Sequence, residues 1–472
     1  MQRNADFHTR TEEALANAQL KASLRSAMDG LMASRKACFP DADAFERLRL
    51  RGAQIRVNAL SKLPQLLELL ERNCTRNGIR VHWAESVDEA NETVLGIMRE
   101  HQAALLIKGK SMVSEEMDLN RFLESHGIEC LESDLGEYIL QLAGEPPSHI
   151  VAPAIHKTRQ DIAKLFKQKF PDIPYSEDVD TLTRNARGIL RKKFHAASVG
   201  LSGVNFAVAE SGTLCLVENE GNGRMCTTVP PVHIAVTGIE KVVEKLEHIP
   251  PLLKLLTRSA TGQRITTYFN MISSPRKTGE KDGPKEVHLI LLDNGRSRIY
   301  EDEELVNTLR CIRCGACMNH CPIYTRIGGH AYGTTIPGPI GSVLEPQKAG
   351  LKSLGELPVA STLCGACAEV CPVRIPIPRL LNRLRFERIR NDHVGTTRGQ
   401  GSSRTFNEAI AWKAWSWLHR NPVGYRLAMT LVTRLRNILP LGIGPWTQAR
   451  KAPRIAAKTL HQRAREEGFN DQ

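Results

Sequence analysis

Seven of the twelve cysteines in this 472-residue chain fall between positions 311 and 371, and their spacing constrains the chain more than any other feature. The first run reads Cys311-Ile-Arg-Cys314-Gly-Ala-Cys317-Met-Asn-His-Cys321-Pro322, a C-x2-C-x2-C-x3-C-P pattern. Three thiolates set two residues apart can wrap one iron–sulfur cubane, and the fourth, ahead of a proline, points toward a second cluster. The second run, Cys364-Gly-Ala-Cys367-Ala-Glu-Val-Cys371-Pro372, matches the last three cysteines of the first. Where its leading cysteine would sit, the chain has Ser361. Crossed ligation gives Cys311, Cys314, Cys317 and Cys371 to one cluster and Cys321, Cys364 and Cys367 to the other. The second cluster is then one thiolate short. Either Ser361 or another oxygen completes a four-iron cluster, or the site holds three irons. Paired C-x2-C units also bind zinc. Zinc knuckles bring two separated pairs, however, whereas here three cysteines crowd one loop and Cys-Pro closes both motifs.

The remaining cysteines (Cys38, Cys74, Cys130, Cys215 and Cys226) are scattered, and Cys130 and Cys215 sit in apolar, strand-like runs that suit buried core thiols. Met1 to Arg10 is polar and has no apolar segment of a secretory signal, and no stretch offers the run of about 18 apolar residues that a membrane span needs. The expectation is a cytoplasmic protein. Its formal charge of +13 is carried by residues 373–472, which hold 19 Lys and Arg against 6 Asp and Glu. Such a tail suits docking to an acidic partner, or contact with the anionic inner face of the cell membrane. It shows no recognisable nucleic-acid-binding fold.

Residues 1–100 read mostly as helix, with Leu60, Leu63, Leu66, Leu67, Leu69 and Leu70 making an apolar face before Asn77-Gly78. Strands and helices then alternate. Strands are expected at Ala103–Ile107, Ile128–Leu131, His149–Ala152, Asn205–Ala209, Thr213–Val217, Val232–Val236 and Val287–Leu292, with a helix starting at Ser114 and ending at Gly127. This pattern implies an α/β domain. The division expected is an N-terminal helical segment (1–50), an α/β domain (51–295), a helical two-cluster ferredoxin domain (300–390), a Gly/Ser/Thr-rich linker from Gly395 to Thr405, and a basic helical tail (405–472) bearing Trp412, Trp415 and Trp417.

Other signals are weaker. Gly109-Lys110-Ser111 follows a strand, but the glycine a phosphate loop needs five residues earlier is Ala104. Asn219 to Arg224 could cradle an anion, although a tight turn between elements is the favoured reading. His149 and His156 read as structural or surface histidines, Glu210 as a solvated hairpin residue, and no dinucleotide fingerprint appears.

Taken in order along the chain, several segments resemble the lactate utilisation protein B family of bacterial iron–sulfur proteins. They are Lys110 to Glu116, Asp134 to Tyr138, Pro147 to Ile150, Gly203 to Glu210, Asn219 to Arg224, both cysteine motifs and Trp412 to Leu418. The resemblance implies an α/β domain similar to sugar-phosphate isomerases and CoA transferases, followed by a dicluster ferredoxin unit. It also implies two [4Fe-4S]-type clusters on the seven motif cysteines, and a role in oxidising L-lactate to pyruvate with two companion proteins. The function expected is an electron relay. The alternatives are a self-contained organic-acid oxidoreductase, with its substrate near Arg224, and a redox-sensing regulator.

Overall fold

The computed structural model describes residues 6–389, 406–438 and 454–468. The described residues up to 389 form one compact unit and those from 406 onward a second. The expected linker, Gly395 to Thr405, lies outside the described residues.

The first unit is built on a six-stranded, all-parallel sheet. Its strands are β1 (Arg80–Ala84), β2 (Leu105–Lys108), β3 (Glu129–Glu132), β4 (Val199–Gly203), β7 (Val232–Gly238) and β10 (Glu286–Leu292), in the order β1-β10-β7-β4-β2-β3. Parallel strands are covered on both faces and therefore read as apolar runs; every residue of β7 is buried. A smaller sheet, β8-β5-β6-β9, is formed by β5 (Phe206–Val208), β6 (Thr213–Glu218), β8 (Val242–Val243) and β9 (Tyr268–Ile272). The expected hairpin is its centre, with Phe206 opposite Cys215.

Two expectations are corrected. The 148–152 segment is a loop, not a strand, because its backbone folds around the buried His149 ring: Nδ1 accepts from the N–H groups of Val151 and Ala152 at 3.0 and 3.1 Å. The helix expected from Ser114 starts three residues earlier, where the Ser111 hydroxyl caps Met112–Glu116 by accepting from the Ser114 N–H. A second helix, Leu119–Ser125, follows a break at Asp118, whose φ is 49°.

The N-terminal helices Ala18–Cys38 and Ala42–Ser61 pack on the helix Ile249–Thr261, and Ala42–Ser61 also packs on the 3-10 turn Leu305–Arg310 that leads into the first cysteine motif. One apolar core accordingly runs from Leu60, Leu70 and Phe206 through Leu252 to Met318, Tyr324, Val343 and Leu381. The cysteine region shares this core with the small sheet. Cys130 and Cys215 are buried within the α/β layers, and burial raises both thiols above the usual range. The second unit contains the helices Phe406–Arg420 and Pro422–Arg434, on which Trp412, Trp415 and Trp417 are about half exposed or more. Among the described residues no helix is long and apolar enough to cross a membrane.

Candidate metal centre

The sequence repeat of the two cysteine motifs is also a backbone repeat. Arg313 and Gly315 flank Cys314 with φ of 59° and 85°; Leu363 and Gly365 flank Cys364 with φ of 54° and 87°. Each pair of left-handed residues opens a short helix, Ala316–Asn319 or Ala366–Val370, that carries the next cysteine. Left-handed turns aim successive N–H groups into one concave space, the arrangement that receives anionic sulfur. The N–H of Arg313 points to Cys311 Sγ at 3.4 Å, that of Tyr324 to Cys321 Sγ at 3.5 Å, and that of Ile375 to Cys371 Sγ at 3.3 Å. In the second motif the N–H of Leu363 donates to Ser361 Oγ at 3.2 Å. Serine thus occupies locally the place that Cys311 holds in the first motif.

The thiols lie near enough to act on one another, within and between the motifs. Burial, then Cys371 and Cys311, push the Cys314 thiol up; burial, then Cys314, Cys311, Cys371 and Cys367, do the same to Cys317. Burial raises Cys371 to about 11, with Cys311 adding to the effect. Burial, then Cys321 and Cys364, raise Cys367 to about 12, while burial and Cys364 raise Cys321. Cys364 is exposed, and its thiol is lowered by hydrogen bonds from Thr362 and the Ala366 N–H. Thiols held in the protonated form ionise when iron takes the proton's place, and the cluster supplies that cation. The cysteine-rich, mostly buried donor set, with N–H groups directed at sulfur, fits iron–sulfur clusters.

Cations surround Cys311, Cys314 and Cys371. Arg49 donates to the carbonyls of Cys371 and Ala368, both at 3.0 Å, and Arg35 lies near enough to Cys314 to feel its charge. Arg56, fully buried, donates to the carbonyls of Arg310, Val242, Leu309 and Glu240. Lys241 reaches the Cys311 carbonyl at 3.4 Å.

The α/β domain clamps the same region. His149 Nδ1 is an acceptor, so its proton sits on Nε2 and is donated to Asn319 Oδ1 at 3.0 Å; Asn319 in turn donates to the Ala260 carbonyl. Burial lowers His149 to about 4, so the ring stays neutral. Tyr324 donates its hydroxyl to the Ser148 carbonyl at 2.7 Å. A buried ionic chain adds a second seam. Arg296 grips Glu116 with both terminal nitrogens at 2.9 Å and Glu240 with Nε at 2.7 Å, and Lys348 meets Glu116 at 2.9 Å. Burial opposes ionisation of Glu116, but Arg296 and Lys348 overcome it and hold the carboxylate below its usual range.

A cavity of about 300 Å3 opens at the C-terminal ends of the strands and extends to Cys314; Lys110, Glu220, Lys241 and Arg313 line it. Arg224, where the sequence placed an anion, is exposed and does not line it. The backbone N–H groups of Gly223 and Arg224 are already taken by the Glu218 carboxylate at 2.7 and 2.6 Å, so Asn219 to Arg224 is an internally capped turn. Gly109 to Ser111 has no free phosphate-loop geometry either: Lys110 donates to the Val151 carbonyl and Ser111 caps its helix. His156 pairs with Glu145 at 2.8 Å, and Glu210 accepts from the Leu246 N–H.

Residues 67–292 match the LUD domain, 307–375 a 4Fe-4S dicluster domain, and 383–469 the lactate utilisation protein B C-terminal model. A lactate utilization protein B from Shouchella clausii is 40% identical over 481 aligned residues, covering 99% of this chain and 99% of that protein. The chain belongs to the lactate utilisation protein B family. The relative from Bacillus subtilis is 38% identical, covering 95% of this chain and 93% of its own. An "uncharacterized electron transport protein YkgF" from Escherichia coli K12 is 43% identical, covering 81% of this chain and 80% of that one. A solved DUF162 family protein from Deinococcus radiodurans matches 49% of this chain and 98% of its own, at 13% identity and a TM-score of 0.29. As a family member with the 4Fe-4S dicluster domain, the chain is an iron–sulfur protein.

Proposed function

We propose that this chain is the electron-relay subunit of a multi-protein system that oxidises L-lactate to pyruvate. The names of its relatives, lactate utilisation and electron transport, support the setting. The observation that carries the reading is the doubled cysteine motif on a repeated backbone turn, whose crossed-ligation spacing gives one set of Cys311, Cys314, Cys317 and Cys371 and a second of Cys321, Cys364 and Cys367. We assign the first set to one cluster and the second set to another, with Ser361 as the fourth ligand of the latter. When bound, such clusters accept and pass electrons singly, so two in one chain suit a two-electron donor. The basic, tryptophan-bearing tail is assigned to docking with the two companion proteins, and its charge also suits an anionic membrane face. Resemblance of the α/β domain to sugar-phosphate isomerases and CoA transferases transfers no catalysis to it, and we assign it the role of scaffold.

Adding lactate to the purified, cluster-loaded chain and following visible bleaching tests this reading. Bleaching only with the companions present supports a relay; bleaching of the chain alone refutes it. That second outcome has a structural argument behind it. The cavity beside Cys314 presents Lys241 and Arg313 to an organic anion, which would make the chain an organic-acid oxidoreductase in its own right. Anaerobic iron and sulfide counting tests the ligand assignment. Close to eight irons per chain is expected, falling in Ser361→Ala with a three-iron EPR signal; a Ser361→Ala chain that keeps its iron and spectrum refutes Ser361 as ligand.

A further inference from the structure

At the opposite end of the parallel sheet from the cavity, three side chains that no cluster uses converge. Glu286 and His288, two residues apart at the start of β10, project to one face. His101 caps the C-terminus of the helix Val87–Glu100. His101 Nε2, His288 Nε2 and one Glu286 oxygen lie within 4.8 Å of one another. The Glu286 Oε2 atom stands 3.6 Å from His101 Nε2 and 3.7 Å from His288 Nε2. All three atoms are shielded from solvent; neither histidine nitrogen has a hydrogen-bond partner, and Glu286 Oε2 has only an ion-pair contact from Arg80.

These distances are too long for hydrogen bonds. Ligands at 2.0–2.2 Å from a tetrahedral ion stand about 3.3–3.6 Å apart, close to what is seen. The proton inventory agrees. His288 Nδ1 and His82 Nε2 share a hydrogen bond of 3.0 Å, and the two rings stack with centroids 5.2 Å apart. With His288 donating from Nδ1, its Nε2 lone pair faces a carboxylate oxygen, a pairing that a cation between them satisfies. A second-sphere partner on the remote ring nitrogen is the usual support of a metal-bound histidine. The negative end of the 14-residue helix behind His101 favours a cation further. Arg80 Nη1 also contacts Glu286 Oε2, at 2.9 Å, but this half-exposed side chain has Glu100 as a second partner at 3.6 Å and can turn to it.

We propose that His101, Glu286 and His288 bind a divalent zinc ion, with solvent at the fourth position. The site joins the end of the helix Val87–Glu100 to the start of β10. It lies about 20 Å from the C-terminal ends of the strands, given the rise of a strand of this length. It is therefore separate from the cysteine clusters.

The test uses the full chain with its clusters intact under anaerobic conditions, to which one equivalent of zinc is added. One zinc per chain is expected, with an X-ray absorption shell of nitrogen and oxygen near 2.0 Å and no sulfur. Iron and sulfide content should not change, and the midpoint of thermal unfolding should rise. Affinity should fall at least tenfold in His101→Gln. That change, at a helix end, spares the buried strand; Glu286→Gln provides a second variant should it misfold. Failure to bind zinc, a sulfur shell, or unchanged affinity in correctly folded His101→Gln and Glu286→Gln chains would overturn the proposal.

Discussion

The two motif glycines provide an internally controlled experiment on how the α/β domain grips the cysteine region. Gly315 and Gly365 have nearly the same backbone, with φ of 85° and 87°. A methyl group on Gly365 would meet nothing within 4 Å, whereas one on Gly315 would lie 3.1 Å from Val151 Cγ2 and 3.3 Å from His149 Cε1. Gly365→Ala therefore carries only the left-handed backbone penalty, about 1–2 kcal/mol. Gly315→Ala carries the same penalty plus overpacking against the 148–151 loop, about 1–3 kcal/mol more. For a compact unit of some 400 residues, 1 kcal/mol corresponds to about 1 °C in the unfolding midpoint. The expected losses are thus about 1–2 °C for Gly365→Ala and about 2–5 °C for Gly315→Ala, read by thermal unfolding of the cluster-loaded chain at one scan rate. Trimming the obstruction with Val151→Ala should return part of the Gly315→Ala loss, so that the double variant loses less than the two singles together. Equal losses at the two glycines, or strict additivity with Val151→Ala, would refute the view that this loop dictates the glycine.

Three further outcomes are expected. Glu116→Gln leaves Arg296 and Lys348 buried with weaker compensation, so thermal unfolding should register a loss of about 3–5 kcal/mol, far beyond that of a surface Glu→Gln change. Burial lowers His149 to about 4 from 6.5, so the unfolded chain binds its proton first; stability is full above about pH 6.5 and falls as pH drops toward 4, by about 3 kcal/mol. A His149→Gln chain should show a shallower midpoint-against-pH slope between about pH 6.5 and 4. Arg49→Gln removes a cation beside the Cys371 loop, and an EPR redox titration should show a cluster potential lowered by tens of millivolts, on the order expected for one nearby charge.

The strands at Val232–Val236 and Val287–Leu292 were legible because a strand covered on both faces must be apolar throughout, and both lie in the sheet at those positions. The central strand β4 was not, since Val199–Gly203 contains two glycines and a serine. The structure supplies the reason: a methyl group on Gly200 would strike the Cys226 carbonyl, and one on Gly203 would press on Ser111. Close crossing of the chain, not strand propensity, sets those residues. The apolar letters of His149-Ile-Val-Ala152 misled in the opposite sense, because His149 is used as a hub for backbone N–H groups, which periodicity does not register. Around the candidate cluster site, cysteine spacing is a local signal and was readable. The supporting Arg56, Glu116, Arg296 and Asn319 are brought together from segments as far apart as the 254 residues between Arg56 and the Arg310 carbonyl it binds, and no short window of sequence contains them.

The asymmetry of the two motifs has a consequence for how the relay would be oriented. The first motif is walled in: Gly315 abuts the 148–151 loop, Asn319 is pinned between His149 and Ala260, and Lys241 holds the carbonyl of Cys311. The second is held by Arg49 at its Cys371 end but open at the other, with Cys364 exposed and free space above Gly365. Electron transfer to a separate protein requires a cluster near the surface, while a buried, cation-surrounded cluster is stabilised when it takes on negative charge. An oxygen ligand at Ser361, harder and less electron-donating by charge transfer than thiolate, would further set the second cluster's potential apart from the first. Exposure and nearby charge therefore point the same way: the first motif, beside Arg35 and Lys241, is suited to hold an electron within the chain, and the second, open at Cys364, to exchange it with a partner.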